Sequence, residues 1–442
     1  MSLMILRRKN FGFVAAVLLF CCTAVSSQAP PDPNAVPGTG KLAKVTIQGS
    51  TRFPEEKVVA AAGLTLGQDV RREDMQAAAD KLVATGLFQN VRYNFRSQKE
   101  KVDLTLQVDD AQLYPVFYDN FPWFTDDELN AAIRAAAPLF DGSLPGNGNV
   151  LVAASEALQK LLPRENINGA IRSEILGQID GDGMMLRFTV EGPSLKIGAV
   201  QFQEKLAAGD AAVQTQAQEL VGKPYSRMTI ALFVREHVRP LYDERGHIRA
   251  AYPPPTARFT GDPNKRLPDN VTVFIAIEPG PVYRWGGVTW QGNSAFGPSA
   301  LDSYVPFPPG EPANGVRLAK LWFTVLEEYG RRGYIEAKIT PTPRFDDAQL
   351  RVHYEVKLQE GPLYRMGDLI ITGLSALAKR KIEEAWTLEK GAIFNDVYFR
   401  EFLASCESKK IFGDYVVHYD EVGHLLDTKP ETKTVNVMLD FK

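Results

Sequence analysis

The residues that could carry out chemistry are few, and their spacing matches no common catalytic or metal site. The five histidines are His237, His247, His353, His418 and His424. No two of them are four residues apart, the spacing at which a helix presents two imidazoles to one zinc ion. The chain also lacks the Gly-x-Ser-x-Gly turn of serine hydrolases and the Gly-x-x-x-x-Gly-Lys loop that binds phosphates. We therefore predict a protein that is not an enzyme and that binds no cofactor or metal.

Two further features could be mistaken for sites. The segment from Gly142 to Gly148 is rich in glycine, but it fits an ordinary loop better than a phosphate cradle. The adjacent acids Glu327–Glu328 and Asp346–Asp347 fall on the polar faces of their predicted elements. We interpret these acids as solvated surface charges, and the histidines as solvated or capping residues.

The composition is that of an ordinary globular protein with several domains. The chain has 442 residues, of which 45% are hydrophobic and 23% are charged. That length allows three domains of common size, or more if they are small. The net charge of −3 gives no electrostatic reason to expect nucleic acid binding.

The N-terminus has the features of a secretory signal. Arg7–Lys9 is a positive segment, and Phe11–Phe20 is an apolar run too short to span a bilayer comfortably. Small residues place the cleavage near Ser26. We predict a signal peptide over residues 1–26 and a flexible tether over residues 27–40, which are rich in Pro, Gly, Ser and Asn. An uncleaved anchor helix remains an alternative.

The cysteines support an exported protein without internal disulfides. Cleavage near Ser26 would remove Cys21 and Cys22 and leave Cys406 as the single thiol. Lipid attachment at Cys21 or Cys22 stays open as an alternative. Cys406 lies at helical spacing from Phe399 and Phe402, so we expect it to pack in a core.

A strand that alternates polar and apolar residues recurs along the chain and runs each time into an acidic segment. The copies are Lys101–Val108 before Asp109–Asp110, Val271–Ile277 before Glu278–Pro281, and Leu350–Leu358 before Glu360–Pro362. In the two later copies the acidic segment also contains Gly and Pro. A period of ~80 residues indicates small domains in a row rather than one large core.

Each repeat reads as strand, helix, helix, strand, strand. We predict an α+β protein, a linear array of about five β-α-α-β-β domains, each with two helices on a three-stranded mixed sheet. The predicted ranges are 41–110 for domain 1, 111–193 for domain 2, 194–281 for domain 3, 282–361 for domain 4 and 362–442 for domain 5. Domain 2 is the most divergent copy. Its segment Tyr114–Phe117 is a poor strand because proline removes a donor, and Thr125–Glu128 is a good helix start.

Several short motifs in these repeats resemble one known family. A Val-x-Ile-x-Gly pattern ends the first strand of domain 1 at Gly49, a glycine separates the helices of domain 4 at Gly310, and Gly333–Tyr334 follows its second helix. Together they look like tandem POTRA (polypeptide-transport-associated) domains, as in the periplasmic arm of BamA-like outer-membrane assembly factors. Domain 2 lacks the Gly-aromatic exit, and domain 5 has Phe412–Gly413 in reverse order.

The resemblance implies a function and partners. It implies a periplasmic, possibly outer-membrane-associated scaffold with chaperone-like activity that binds unfolded outer-membrane or secreted polypeptides by β-strand addition. The sequence shows no β-barrel after domain 5, so a separate barrel or another component of the assembly machinery is an expected partner. Two alternatives stay open: a structural interaction protein of the envelope, and the arm of a truncated, barrel-bearing assembly factor.

Strand addition needs a sheet edge with unpaired backbone groups. If the third strand is central, the first and second strands are both edges. We predict second strands from Ile248 to Tyr252 in domain 3 and from Ile335 to Thr340 in domain 4, the latter followed by Pro341 and Pro343. The candidate binding residues are Tyr415, Val416, Val417, His418 and Tyr419 in domain 5, Val91 and Tyr93 in domain 1, and Ile335, Ala337 and Ile339 in domain 4. We expect the segment 415–419 to be the most adhesive edge, because it contains neither proline nor charge.

Overall fold

The computed structural model describes residues 40–98, 100–179, 181–193, 195–260 and 270–442. The predicted signal peptide and all of the predicted tether except Gly40 lie outside these residues. The described residues form two compact units: residues 40–113 with 134–154, and residues 114–133 with 155–442. The second unit contains domains 3, 4 and 5 together with part of domain 2. We keep the predicted ranges as working names for the domains.

The order of helices and strands in domains 1 and 2 follows the predicted repeat with two short additions. Domain 1 contains β1 (Gly40–Gln48), α1 (Glu55–Ala61), the short β2 (Asp69–Val70), α2 (Arg72–Ala84), β3 (Phe88–Gln98) and β4 (Lys101–Asp110). Domain 2 contains β5 (Leu113–Tyr118), α3 (Asp126–Ala136), the short β6 (Ser143–Pro145), α4 (Asn149–Gln159), β7 (Ala170–Gly177) and β8 (Met184–Glu191).

Domains 3 to 5 repeat the same order. Domain 3 contains β9 (Lys196–Phe202), α5 (Lys205–Gly209), α6 (Ala211–Gln218), α7 (Arg227–Phe233), a π-helical turn (Val234–Val238), α8 (Arg239–Asp243), β10 (Thr256–Thr260) and β11 (Asn270–Ile275). Domain 4 contains β12 (Arg284–Gln291), α9 (Pro298–Asp302), α10 (Gly315–Arg331), β13 (Lys338–Asp346) and β14 (Arg351–Gln359). Domain 5 contains β15 (Arg365–Thr372), α11 (Ala376–Ala385), α12 (Asp396–Glu407), β16 (Val422–Lys429) and β17 (Thr434–Phe441).

The third strand of each domain lies between the other two. The orders are β1-β4-β3, β5-β8-β7, β9-β11-β10, β12-β14-β13 and β15-β17-β16. The third strand is parallel to the first strand and antiparallel to the second. This topology follows from the chain order, because adjacent strands form hairpins and a helical crossover permits parallel pairing. The predicted α+β class and the central third strand are confirmed.

The alternation of the third strand places its apolar side chains against the helices. In β4, Val102, Leu104, Leu106 and Val108 are at most 1% exposed. The hydrophobic clusters of domains 3, 4 and 5 each draw their buried residues from a single domain. Small separate cores therefore replace one large interior, as the repeat period predicts.

A glycine between the helices is hydrogen-bonded to the start of the first strand. In domain 1 the amide of Gly67 donates to the carbonyl of Leu42, and the amide of Leu42 donates to Gln68, both at 2.8 Å. The same exchange links Gly222 and Lys223 with Ile197, Gly310 and Glu311 with Trp285, and Gly391 and Ala392 with Met366. All four glycines have φ between +82° and +87°. This loop therefore pairs the outer side of the first strand at its beginning.

The second strands of domains 3 and 4 begin later than predicted. The sequence predicted strands from Ile248 and from Ile335, whereas β10 begins at Thr256 and β13 at Lys338. Ile248 instead packs against the core of domain 4, and Ile335 against the core of domain 5. Hydrophobic contact with the next domain has replaced strand pairing at these positions. Of the predicted edge residues of domain 4, Ile335 and Ala337 precede the strand, and Ile339 lies within it.

The predicted second strand of domain 5 is wrong. Residues 415–419 form an irregular loop, and the strand that pairs with β17 is β16, which begins at Val422. The segment does not alternate as a strand would: Val416 is 82% exposed, whereas Tyr419 is buried and donates its hydroxyl to the carbonyl of Cys406. Burial of Cys406 in the same core confirms the packing role predicted for this thiol.

The first strand of domain 2 forms although its sequence favours strand weakly. β5 includes Pro115, and its parallel pairing with β8 runs from Val116 to Tyr118, beyond the proline. Pro115 therefore removes no donor from that pairing. The predicted helix start nearby is confirmed, because the backbone amide of Thr125 donates to the Glu128 carboxylate at 2.8 Å.

A first prediction concerns the glycine at the end of β15. Gly373 has φ +80°, and a Cβ there would overlap the carbonyl oxygen of Phe441 in β17. Gly391 has φ +85°, but a Cβ there would meet open space. We expect Gly373→Ala to lower the free energy of opening of domain 5 by at least ~2 kcal/mol more than Gly391→Ala, since only strain from the backbone angle is common to both. Hydrogen exchange of the β17 amides measures this difference, and equal effects would show that the overlap is relieved cheaply.

Candidate functional site: open sheet edges and inter-domain contacts

The outer edge of β3 is a long strand edge without proline. β3 spans 11 residues and pairs with β4 on one side. Val91 and Tyr93 lie in it as predicted, and both are half-buried on the face that packs toward the helices. On the other face Arg92 and Arg96 are exposed. The described residues of the first unit contribute no strand to the outer side of β3.

The matching edge of β13 carries two prolines within the strand. The sequence placed Pro341 and Pro343 after the strand, whereas both lie inside it, paired with Val356 and Tyr354. A proline is tolerated in an edge strand only where its missing N–H would face outward. The outer edge of β13 therefore lacks two donors that a guest strand would use.

The register shows which residues of β3 occupy the positions of these prolines. Trp290 of domain 4 and Ile47 of domain 1 are equivalent, because each stands two residues before the glycine that ends the first strand. Trp290 pairs with Val356 in β14, and Ile47 pairs with Leu106 in β4. Leu106 in turn pairs with Tyr93, as Val356 pairs with Pro341. Tyr93 therefore corresponds to Pro341, and Phe95, two residues further along, corresponds to Pro343. Tyr93 and Phe95 therefore direct their N–H groups outward, which makes the edge of β3 complete where that of β13 is interrupted.

The other second strands give shorter or more charged edges. β10 is five residues long and follows Pro253–Pro255. β7 lacks proline but carries ion pairs to β8, from Arg172 to Glu191 and from Arg187 to Glu174. β16 lacks proline over eight residues, with Leu425 exposed on it. By length and by continuity of donors, β3 is the best edge for strand addition and β16 is the second.

The first strands offer less free edge than the second strands. β2 pairs with the beginning of β1, and single bridges cover the same position in domains 3, 4 and 5. Each of β1, β9, β12 and β15 also has a register shift after its second or third residue. Bulges twist an edge and interrupt its pairing. The unpaired backbone available to a guest is therefore concentrated on the second strands.

The contact between domains 4 and 5 is built around a buried tyrosine. Tyr364 is fully buried; its amide donates to the carbonyl of Gly333 at 2.9 Å, and its own carbonyl accepts from Phe394 at 3.0 Å. Its hydroxyl donates to Glu336 at 2.7 Å, and this hydrogen bond raises the pKa of the tyrosine. Gly333 has φ +83°, and a Cβ there would lie 2.7 Å from the Tyr364 carbonyl oxygen. The glycine is needed both for its backbone angle and for this close approach.

The contact between domains 3 and 4 repeats this geometry. Tyr283 is buried, its amide donates to Gly246 at 2.9 Å, and its carbonyl accepts from Ala313 at 2.8 Å. Its hydroxyl donates to Asp347 at 2.5 Å and accepts from Arg249 at 2.9 Å. We call Gly246 and Gly333, which follow the last helix of domains 3 and 4, the exit glycines. Arg249 stands three residues after Gly246, as Glu336 stands three residues after Gly333. The same tyrosine position is therefore matched by a cation in one contact and by an acid in the other.

The contact between domains 2 and 3 uses a buried carboxylate. Asp119 is 4% exposed and accepts hydrogen bonds from the Ser226 hydroxyl and the Met228 amide, both at 2.8 Å. Arg227 forms a bidentate pair with Asp126 at 2.7 and 3.1 Å and also donates to the carbonyl of Tyr118. A buried charge is tolerated because several donors satisfy it.

The first unit has its own ion pair. Arg52 donates to both carboxylate oxygens of Asp141, at 2.7 and 3.0 Å. Partial burial would raise the pKa of Asp141, but the hydrogen bond and charge of Arg52 outweigh it, so the pKa is lowered. Both side chains are more than a third exposed, so we assign this pair a small contribution to stability.

Several residues of these contacts were missed or misread in the sequence. Asp347 was interpreted as solvated, yet it accepts from Tyr283 and Arg249, and Glu327 pairs with Arg400 of domain 5 at 3.4 Å. The signal that could have revealed the tyrosines is a second short motif, Gly-Pro-Val-Tyr at 280–283 and Gly-Pro-Leu-Tyr at 361–364. No local pattern marks Asp119, because its partners Arg187, Ser226 and Met228 lie 68, 107 and 109 residues away.

The remaining candidate chemistry is limited in the part of the chain that the structure describes. No group of three or more His, Cys, Asp or Glu side chains there is arranged to hold a metal ion. The Nδ1 atom of His247 lies 3.0 Å from the carbonyl oxygen of Gly280, within the contact between domains 3 and 4. Burial raises the pKa of the Cys406 thiol to about 12, which makes it a poor nucleophile. Among the described residues, no helix combines the length and apolar character needed to cross a membrane.

A β-α-α-β-β domain with a central third strand and an open second strand recurs along the chain, and a tyrosine contact joins domains 3 to 4 and 4 to 5, which defines a tandem-repeat α+β protein. Residues 40–111 and 283–361 match the family model of the POTRA domain, described as a surface antigen variable number repeat. Residues 40–111 and 283–361 are therefore POTRA domains, and the resemblance drawn from the motifs of the chain is confirmed.

Relatives with names or structures share low identity with this chain. A protein of Treponema pallidum named "Putative outer membrane protein assembly factor" is 21% identical over 254 residues, which are 56% of this chain and 30% of that protein. The solved BamA POTRA domains 3–5 of Haemophilus influenzae are 16% identical and cover 56% of this chain and 96% of theirs, with a TM-score of 0.42. The N-terminal domain of Omp85 from Thermosynechococcus elongatus is 12% identical and covers 91% of this chain and 97% of its own, with a TM-score of 0.21. These superpositions are too loose to add to the fold described above.

The contact between domains 3 and 4 is expected to weaken in acid. The hydrogen bond from Tyr283 and the charge of Arg249 hold the pKa of Asp347 below its ordinary value of 3.8. A carboxylate whose pKa is lowered by folding stabilises the contact above pH 3.8, and this contribution is lost as the pH falls through the folded-state value. Hydrogen exchange at the Tyr283 amide, which donates to Gly246 across the contact, should show protection falling below pH 3.8 once the rates are corrected for intrinsic exchange. Asp347→Asn should remove this acid step, and an unchanged step in that variant would assign it to another group.

Asp119 provides a test of the contact between domains 2 and 3. Asp119→Ala leaves the Ser226 hydroxyl and the Met228 amide without their acceptor in a buried site, so we expect a loss of about 2–3 kcal/mol in the free energy of opening of this contact. Arg172→Ala, which removes an exposed ion pair on β7, is the control and should cost less than ~1 kcal/mol. Urea unfolding with exchange of the α7 amides gives both values. Similar losses in the two variants would mean that the buried carboxylate is replaceable by water.

Proposed function

We propose that this chain is a non-enzymatic scaffold of outer-membrane protein assembly, exported to the periplasm, that holds unfolded polypeptides by strand addition along β3. The observation that carries the proposal is the unbroken outer edge of β3, set against the proline-interrupted edge of β13. Backbone hydrogen bonding is largely independent of the guest's sequence, so one edge can serve many clients. The POTRA match and the named relative support the assembly role.

The partners follow from the same edge. An extended outer-membrane polypeptide alternates apolar and polar residues, and strand addition would place its apolar side chains beside those of Val91, Tyr93 and Phe95. Arg92 and Arg96 face the other side, where a guest with acidic residues would be favoured. Components of the outer-membrane assembly machinery are the second class of partner. β16 is the second edge that we assign to clients, in place of the segment 415–419.

The test exchanges proline and aromatic residues between two domains. Tyr93→Pro with Phe95→Pro removes two outward donors from β3, and β13 shows that prolines at these positions are compatible with the hairpin. We expect about 30-fold weaker binding of a ten-residue peptide that alternates apolar and polar residues, since each backbone hydrogen bond contributes about 1 kcal/mol. The reciprocal variant, Pro341→Tyr with Pro343→Phe, should create a new binding edge on β13. Fluorescence anisotropy of the labelled peptide measures both.

The control separates the backbone from the side chains. Tyr93→Ala with Phe95→Ala removes the rings but keeps both N–H groups, so it should weaken binding much less than the proline pair. Hydrogen exchange of β4 confirms that the hairpin remains folded in each variant. Equal binding by the proline pair and the unmodified protein would exclude β3 as the client edge.

A further inference from the structure

The first residue of each second helix contacts the preceding domain in the second unit. Gly315 opens α10 directly after Asn314, whose side chain caps the helix by accepting from the amide of Arg317 at 2.9 Å. Asp396 opens α12 in the same way after Asn395, which accepts from the amide of Tyr398 at 3.0 Å. Gly315 and Asp396 therefore occupy equivalent positions in domains 4 and 5.

The partners of these two residues also occupy equivalent positions. A Cβ on Gly315 would lie 3.0 Å from Cβ of Asp243 in domain 3, and a Cβ on Gly330 of domain 4 would lie 3.4 Å from Cβ of Asp396. Asp243 directly follows the buried Tyr242 and stands three residues before Gly246. Gly330 likewise directly follows the buried Tyr329 and stands three residues before Gly333.

The two contacts thus contain the same aspartate–glycine pair in opposite orientation. Between domains 3 and 4 the acid belongs to the preceding domain and the glycine to the helix that follows. Between domains 4 and 5 the glycine belongs to the preceding domain and the acid to the helix. The space at this contact holds one carboxylate, and the glycine on the other side leaves room for it.

We propose that this reciprocal pair is a specificity determinant that fixes which domains dock on each other. If the end of domain 3 approached α12, Asp243 would face Asp396, and two carboxylates would meet with no room for either. If the end of domain 4 approached α10, Gly330 would face Gly315 and leave a gap. The partner recognised is the correct neighbouring domain of this chain, and the pairings rejected include those between domains of two copies.

Burial and neighbouring charges at the contact agree with this role. Burial raises the pKa of Asp243, and the charge of Arg239 opposes the shift, so the carboxyl sits where a second acid would be costly. The Asp396 carboxylate instead forms an ion pair with Arg400 of its own helix, with 3.2 Å between Oδ2 and Nε. The contact between domains 2 and 3 has a third combination at the same helix position, Arg227 against Asp126. Each of the three contacts therefore has its own complementary pair.

A rescue experiment in the full chain tests the proposal. Gly315→Asp places two acids at the contact between domains 3 and 4, and adding Asp243→Gly recreates the arrangement found between domains 4 and 5. The single variant should reduce protection of the Tyr283 amide, which donates to Gly246 of domain 3, against hydrogen exchange about tenfold or more, because facing like charges at an interface are costly. The double variant should restore most of it. An acid at the first position of a helix is itself favourable, so the loss cannot be attributed to a weaker α10.

The controls distinguish docking from folding and charge from bulk. The Trp285 amide, bonded to Glu311 within domain 4 at 2.7 Å, should stay protected in every variant if only the contact is affected. Gly315→Asn adds the same volume without the charge and should cost less than Gly315→Asp. The proposal is overturned if Gly315→Asp leaves the Tyr283 amide as protected as before. It is also overturned if adding Asp243→Gly to that variant fails to restore the protection.

Discussion

Pairing of the third strand on both sides is the constraint on which the rest of each domain depends. With its two neighbours in place, the central strand has no free backbone, and its apolar side chains cover the helices. The first strand is held at its start by the loop that carries the inter-helix glycine. Among the residues that the structure describes, the second strand of each of the five sheets has no strand paired to its outer side. The position of the open edge is therefore set by topology, and its availability is decided residue by residue, by proline, charge and length.

The contacts between successive domains follow from the same chain path. After the exit glycine of domains 3 and 4, the chain gives up strand pairing for a few residues and places an isoleucine in the next core. The amide of the tyrosine that follows the Gly-Pro segment then donates to the preceding domain, and its carbonyl accepts a hydrogen bond within its own domain. Polar groups buried in this way are costly unless every partner is present, which makes the geometry specific. The glycines at 246 and 333 are required because a side chain there would meet the tyrosine carbonyl.

The sequence predicted the fold from regularities within each domain. Alternation in Val102–Val108 predicted a strand buried on one face, and the repeat of that pattern predicted the order of helices and strands within each repeat. Two failures came where contacts with the next domain decide the conformation, and a third where packing inside domain 5 does so. Ile248 and Ile335 resemble strand residues locally, but contact with the next domain determines their structure. Residues 415–419 have high β propensity, yet burial of Tyr419 beside Cys406 outweighs it, because propensity is weaker than tertiary packing.

The candidate site was predictable only in part for a related reason. Val91 and Tyr93 were placed correctly, since β3 is defined by its hairpin with β4, a local feature. The difference between β3 and β13 depends on which way each N–H points, and that requires the register of the sheet. The inter-domain residues required more still, because Asp119 and Ser226 are 107 positions apart.

The repeats share one backbone fold and differ in their side chains at two places, the second strand and the start of the second helix. These two differences involve separate residues. Prolines at the second strand change which domains can accept a guest and leave the inter-domain contacts unaltered. The aspartate–glycine pair at the second helix changes which domains dock and leaves the open edges unaltered. With the proposed function, a chain built in this way would hold its domains in a fixed order and would confine client binding to selected edges. If both properties depended on the same residues, any change that closed an edge would also disturb docking. This conflict does not arise, because the prolines lie in the second strand and the aspartate–glycine pair lies at the start of the second helix.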